Sequence, residues 1–281
     1  MKTNLITKTK LNMKKVVTIL ALMLTSTLTF AQDAPAAAAP ATEEPASKLA
    51  IGVDVVYPYL WRGFKLNANK VAFQPYLSYA FTDKLTVGVW GTTNLSNDIK
   101  SYNEFDWYAS YQVSPVVKLM LSDYYYDTPL ARGSYFNYDE TSTQAIDFSV
   151  LLDFSEKGVP IDFQWNTLIA GNDFKYDSND KKSRNFSSYT EIGYSQSIES
   201  AGINLRFFAG AVISNVNAYY LTDGFKFTNV GLNVSKEIKF SESFSLPVFV
   251  KYTYNDNGNL NKNWDGTVKS VVSGGMTFTI K

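Results

Sequence analysis

The 281-residue chain contains no cysteine and no histidine. Those two absences exclude a disulfide framework, a thiol-linked lipid anchor, zinc sites of the usual kind, and Ser-His-Asp or Cys-His nucleophiles. An excess of one charge is also missing. The chain has 26 basic and 26 acidic residues, so nothing points to nucleic acid as a partner. Charge is scarce as well, at 19% of residues against the roughly 25% usual for soluble domains. No apolar run approaches the ~20 residues that a membrane-spanning helix needs. What the chain has in quantity is aromatic rings: 19 Tyr, 19 Phe and 5 Trp, or 15% of the residues.

The N-terminus reads as an export signal. Met13-Lys14-Lys15 opens a short apolar run, Val16 to Leu24, and Thr29 and Ala31 stand at the −3 and −1 positions of a cleavage site. Residues 1–31 are therefore expected to be a signal peptide, with Met1 to Asn12 either a longer n-region or an over-extension ahead of a start at Met13. This segment holds Lys2, Lys8, Lys10, Lys14 and Lys15 and no acid. Its removal leaves 21 basic against 26 acidic residues, a net charge of −5. Residues 32–48 are rich in Ala and Pro and cannot bury a core, so they are expected to form an extended linker. The folded domain is then 49–281.

From Leu49 onward the hydrophobic pattern has period two. Ile51, Val53, Val55, Tyr57, Tyr59 and Trp61 share one face of the first segment, opposite Gly52, Asp54 and Arg62. Val71, Phe73, Leu77, Tyr79 and Phe81 oppose Gln74, Tyr76 and Ser78 in the second. The same opposition recurs at Phe105, Trp107 and Tyr111 against Glu104, Asp106 and Ser110, and at Phe163, Trp165 and Ile169 against Asp162, Gln164 and Asn166. There are about twelve such segments of about ten residues, the length of a tilted membrane-crossing strand.

The connections alternate between short and long. Thr82 to Lys84, Ser114-Pro115, Ser155 to Pro160, Glu199 to Gly202 and Phe240 to Ser243 are tight. Asn94 to Asn103, Asp127 to Ser142, Gly171 to Ser187, Asn215 to Lys226 and Asn255 to Lys269 are long and polar, and Gly63 to Lys70 is intermediate. A secreted β-sandwich would also alternate, but its solvent faces should carry Lys and Glu in quantity. Here the polar faces carry Gly, Ser, Asn and isolated charges, and the apolar faces end in Tyr, Trp and Phe. The expected fold is all-β: an antiparallel transmembrane β-barrel of about 12 strands, with short periplasmic turns and long extracellular loops, in the bacterial outer membrane.

The stretch Val53-Asp54-Val55-Val56-Tyr57-Pro58-Tyr59-Leu60-Trp61-Arg62-Gly63-Phe64 resembles the opening strand of the TorF-family porins, where an aromatic residue precedes Arg-Gly. Phe73-Gln74-Pro75-Tyr76-Leu77-Ser78-Tyr79, Val87-Gly88-Val89-Trp90-Gly91 and Glu104-Phe105-Asp106-Trp107-Tyr108 follow in the family order. The resemblance runs from Gly52 to about Asp127. It implies an outer-membrane barrel with a pore role and no catalytic residues.

Placing the polar faces toward the lumen gives Asp54, Glu104, Asp106, Asp147, Asp153, Asp162 and Glu191 as acids, and Arg62, Lys118, Arg206 and Lys251 as bases. Such an interior is mildly acidic and should favour cations weakly, since charges on a low-dielectric wall focus the field. The blander reading is that these charges pair across strands and fill the lumen. Glu104 and Asp106 could be an acid–base pair, but a selectivity or structural role fits better without a cleft. Arg62 is either a charge at the outer mouth or the partner of a neighbouring acid, the second being favoured. Tyr57, Tyr59, Trp61, Tyr79, Phe81, Trp107 and Trp165 are expected in the membrane girdles. The aromatic third loop, Tyr124 to Tyr126 and Tyr135 to Tyr138, is expected to join that belt.

These residues imply a passive channel for small solutes surrounded by outer-membrane lipid, with no cofactor, no metal and no catalytic residue. The alternative is a non-conducting barrel whose loops bind a partner or surface polymer.

Overall fold

The computed structural model describes residues 48–67, 69–96, 103–127, 135–214, 219–241, 244–258 and 268–280. The expected signal peptide and nearly all of the expected linker lie outside them.

Twelve strands form one closed antiparallel barrel. They are β1 (Leu49–Tyr57), β2 (Ala72–Ala80), β3 (Leu85–Thr92), β4 (Asn103–Gln112), β5 (Val117–Asp127), β6 (Gln144–Asp153), β7 (Ile161–Gly171), β8 (Ser188–Ile198), β9 (Ile203–Val212), β10 (Lys226–Lys239), β11 (Ser245–Tyr254) and β12 (Ser270–Ile280). Each strand pairs with its neighbours in sequence, and β1 closes the ring against β12, in register from Ile51↔Ile280 to Tyr57↔Gly274. Closure leaves no sheet edge, which is what allows strands to cross a lipid layer with their backbone groups satisfied.

Burial is inverted relative to a soluble domain. Val71, Phe73, Leu77, Tyr79, Phe105, Trp165 and Phe278 are exposed, whereas Asp54, Gln74, Glu104, Asp106, Asp147 and Glu191 are buried. The alternating faces thus lie as the period-two pattern predicts, with the apolar side outward and the polar side inward.

At one end of the barrel the strands are joined by tight turns. The Leu85 N–H donates to Thr82 Oγ1 at 2.9 Å in the first, and single 3₁₀ turns, Ser155–Lys157 and Glu199–Ala201, make two others. The other end carries the longer connections, including two small antiparallel ribbons, Leu60–Trp61 with Phe64–Lys65 and Phe174–Tyr176 with Lys182–Arg184. Irregularities of register at Ile146/Asp147 and Gly210/Ala211 bend the wall near this end.

The interior is not uniform along its axis. Lumen-facing side chains in the half nearer the long connections, among them Gln74, Glu104, Asp147, Asn166, Glu191 and Asn229, are buried. Those nearer the tight turns, among them Ser78, Ser110, Lys118, Asp162, Arg206 and Lys251, are half-buried. The cause is the first of the long-end connections.

Candidate functional site

β1 ends at Tyr57, and the next residue, Pro58, has no N–H to extend the ladder. From Tyr59 to Asn67 the chain turns into the barrel. Here the period-two pattern fails: Tyr59, Leu60, Trp61 and Phe64 are all apolar or aromatic, on both parities, and all are buried. Asn67 fastens the base of the turn. Its Oδ1 accepts from the Tyr59 N–H at 2.8 Å, its Nδ2 donates to the Lys70 carbonyl at 2.7 Å, and the Leu66 N–H donates to the Tyr59 carbonyl at 3.1 Å.

This plug carries its own apolar core within the lumen. Trp61 stacks on Tyr220 with ring centres 5.4 Å apart, and meets Tyr124 and Tyr219 edge-on at 5.9 and 6.0 Å. Tyr59 lies 5.8 Å from Trp90, and Val56, Phe64, Ala72, Tyr189 and Val212 complete the cluster. Aromatic rings at such distances contribute beyond the area they bury. At the tip, Gly63 adopts φ +83°, and a Cβ there would lie 1.7 Å from the Thr228 carbonyl oxygen on β10. Only glycine allows the plug backbone so close to the wall. The Gly63 carbonyl in turn accepts from Asn255 Nδ2 at 3.0 Å.

Charges hold the plug as firmly as rings do. The Arg62 guanidinium donates to Asp147 on β6 and to the Tyr220 hydroxyl, and lies over the Trp61 and Tyr189 rings at 4.6 and 5.2 Å. The Tyr59 hydroxyl donates to Glu104 at 3.0 Å. Further along the wall, Tyr189 donates to Glu191, and Asn229 Nδ2 donates to the same carboxylate at 2.6 Å. Arg206 bridges Glu191 at 2.8 Å and Asp162 at 2.5 Å. Two charge clusters result, Arg62 of the plug with Asp147, and Arg206 between Glu191 and Asp162 on the wall. Among the described residues no three acidic side chains converge in a way that could hold a metal ion.

The family model described as "Bacterial protein of unknown function (Gcw_chp)" matches residues 40–195. The chain belongs to this family. No curated protein matches it. Among solved structures, the NanC porin is 11% identical and superposes with a TM-score of 0.51, covering 83% of this chain and 100% of that one. That likeness shows a porin-like barrel fold. Salmonella typhi OmpF in complex with daunomycin is 9% identical, with a TM-score of 0.35 over 83% of this chain and 96% of that one. The outer membrane channel DcaP of Acinetobacter baumannii is 10% identical, with a TM-score of 0.34 over 85% and 99%.

In this Gcw_chp-family chain the residues assigned to the lumen all face inward, but at two levels. Asp54, Arg62, Glu104, Asp106, Asp147 and Glu191 are buried around or beside the plug. Lys118, Asp153, Asp162, Arg206 and Lys251 are half-buried below it. Arg62 is brought to Asp147, and Arg206 to both Asp162 and Glu191. Asp54 accepts from the Thr277 hydroxyl, and Lys251 lies 4.7 Å over the Phe208 ring.

The girdle assignment needs correcting at two positions. Tyr57, Tyr79, Phe81 and Trp165 are exposed on the outer wall, and Trp107 is half-buried there. Tyr59 and Trp61, at 2% and 7% exposure, lie inside the barrel, because the strand stops before them and the chain turns inward. The third-loop aromatics divide in the same way. Tyr124 and Tyr126 face the lumen, whereas Tyr125, Tyr135 and Phe136 form a ring cluster outside the wall. Tyr138 and Gln144 donate to Asp123 on that outer side at 3.0 and 2.7 Å, and the carboxylate is fully covered. Tyr189 and Asn229, which help complete the plug's seat, carry no sequence signal beyond their place in alternating segments, and Tyr220 and Asn255 none beyond their place in the long connections. Gly63 does: Arg-Gly at the end of an aromatic run marks a tight approach.

Proposed function

We propose that this chain is an outer-membrane channel for passive diffusion of small solutes, weakly cation-preferring, with the Tyr59–Asn67 plug as its constriction. One observation carries the reading. The barrel wall is mostly polar on its inner face and accessible from the tight-turn end up to the plug, so the Tyr59–Asn67 segment, with Tyr219 and Tyr220 packed on it, narrows it. A twelve-stranded barrel lies between the eight strands that side chains fill and the sixteen that leave an aqueous pore, so a narrow path is the expected compromise.

On this reading residues 1–31 are an export signal and 32–48 a periplasmic linker, so the tight turns lie in the periplasm and the long loops outside. The resemblance of Val53 to Phe64 to the TorF-family porins is likewise taken as kinship in pore function. Selectivity comes from the lumen charges. Arg62 and Arg206 are matched by Asp147, Glu191 and Asp162; with Asp54, Glu104, Asp106 and Asp153 against Lys118 and Lys251, acidic groups outnumber basic ones on the lumen side by seven to four. In a low-dielectric wall such an imbalance raises the local cation concentration.

A second reading, a barrel that does not conduct and whose loops bind a partner, is favoured by the plug's apolar core and buried ion pair. Purified protein in a planar bilayer decides between them. Discrete conductance steps with a reversal potential of cation-selective sign support the channel, and a silent bilayer supports the second reading.

A further inference from the structure

We propose that β10 and β11 carry a binding track for a neutral, polyhydroxylated solute, running from the plug toward the accessible half of the lumen. The inference rests on the channel reading and adds a solute class to it. On β10, Asn229, Gly231 and Asn233 alternate onto the lumen face. On β11, Thr253 stands opposite Gly231, and Lys251 opposite Asn233. Same-face residues on a strand are about 6.8 Å apart along its axis, so Asn229, Thr253 and Asn233 form a row, with Thr253 filling the interval across the pair.

Their oxygens are unpaired. Asn229 Oδ1, Asn233 Oδ1, Thr253 Oγ1 and Thr228 Oγ1 are shielded and meet no hydrogen-bond partner among the described residues. Asn229, Thr228 and Thr253 are at most 1% exposed. The orientation of the Asn229 amide is set by its chemistry. Its Nδ2 donates to the Glu191 carboxylate, which can only accept, so Oδ1 is the atom left without a partner. The row begins beside the Thr228 carbonyl, where Gly63 of the plug touches the wall. Buried polar atoms are normally paired, and four unpaired oxygens on two adjacent strands call for a species that brings donors.

The neighbours select that species. Asn233 is flanked by Arg206 on β9 and Lys251 on β11, which disfavours a cation at the lower end. Arg206 is already bound to Asp162 and Glu191, whose charges disfavour an anion. Hydroxyl groups meet both demands, because they donate to the Asn and Thr oxygens and accept from Lys251. Several weak positions in sequence suit passage better than one tight site.

Xylitol added to single channels tests the track. It should interrupt the ion current of the native protein. Thr253→Val, which keeps the side-chain shape, and Asn233→Leu should each raise the blocking concentration about tenfold, read against each variant's own unblocked current. Ser78→Ala, on the lumen face of β2, should leave that concentration unchanged. A conducting native channel that xylitol does not block, or equal block in the native protein and both variants, overturns the track and leaves the channel reading standing. A silent bilayer overturns the channel reading, and titration of Trp fluorescence in detergent then decides the track. Saturable xylitol binding that Thr253→Val weakens supports it, and no binding overturns it.

Discussion

Arg62 and Asp147 are separated by 85 residues of sequence and form an ion pair inside the barrel, with side-chain exposures of 4% and 0%. The plug is tied to the far wall through this contact. A buried pair gives little net stability relative to apolar replacements, but breaking one side of it leaves a buried charge uncompensated. Arg62→Ala should therefore cost about 3–5 kcal/mol. The double variant Arg62→Met/Asp147→Leu should recover most of that loss. Thermal unfolding in detergent, followed by circular dichroism, checks both, and additive losses in the double variant would count against the pairing.

Gly63 gives a sharper perturbation. A Cβ at this position meets the Thr228 carbonyl at 1.7 Å, and backbone cannot move aside as a flexible side chain can. Gly63→Val should push the plug tip off β10. The absence of native cysteine makes a direct readout available: Leu60→Cys, at a site 0% exposed, should resist thiol reagents in the parent and label within minutes when combined with Gly63→Val. Equal protection in both backgrounds would mean that the tip does not need this contact.

The plug was also the least legible part of the sequence. The alternation that places Phe73, Leu77 and Tyr79 outward and Gln74 inward comes from a wall with one polar and one apolar side, and period two records that directly. Tyr59 and Trp61 continue the parity of Ile51, Val53, Val55 and Tyr57, so by period alone they belong to the outer face. Two local facts argue otherwise. Pro58 cannot donate to a ladder, and Leu60 breaks the alternation, as expected where every side is buried. The lumen charges were legible as a set, because the polar face of each strand names them. Their pairing was not, since Arg206 reaches Asp162 on β7 and Glu191 on β8 through a register that only the closed barrel fixes.

Glu104 and Asp106 share the lumen face of β4 beside the plug, and Glu104 accepts from the plug's Tyr59. If they set the selectivity, Glu104→Gln/Asp106→Asn should move the reversal potential in a salt gradient toward zero, with the cation-to-anion permeability ratio falling roughly twofold. An unchanged reversal potential would return the pair to a purely structural role.

Two of the long connections are clasped together by exposed charges. Lys182 lies 2.6 Å from Asp139 and 3.3 Å from Glu140, and Tyr176 donates to Glu140. Hydrogen bonding from Lys182 holds the Asp139 carboxyl below its ordinary range, and the Tyr176 hydroxyl does the same for Glu140. The bond to Asp139 raises the Lys182 ammonium. Depressed carboxyl values mean that the clasp is intact above the ordinary carboxylate range and is lost as pH falls through the lowered values. The raised lysine value means that it is lost again only above the ordinary lysine range. Spin labels at Asn137→Cys and Ser178→Cys should report a fixed separation at neutral pH and a broadened one in strong acid. Exposed pairs are screened, so high salt should broaden it as well.

The Tyr59–Asn67 plug, with Tyr219 and Tyr220 packed on it, narrows a lumen whose wall is mostly polar. Single-channel conductance of the native protein, compared with a variant in which Tyr59–Asn67 is replaced by a short Gly-Ser turn, tests this most directly. Native steps should be small and those of the trimmed barrel several-fold larger, both of cation-selective sign. Equal conductance in the two proteins, or silence from a trimmed barrel that still folds, would contradict this.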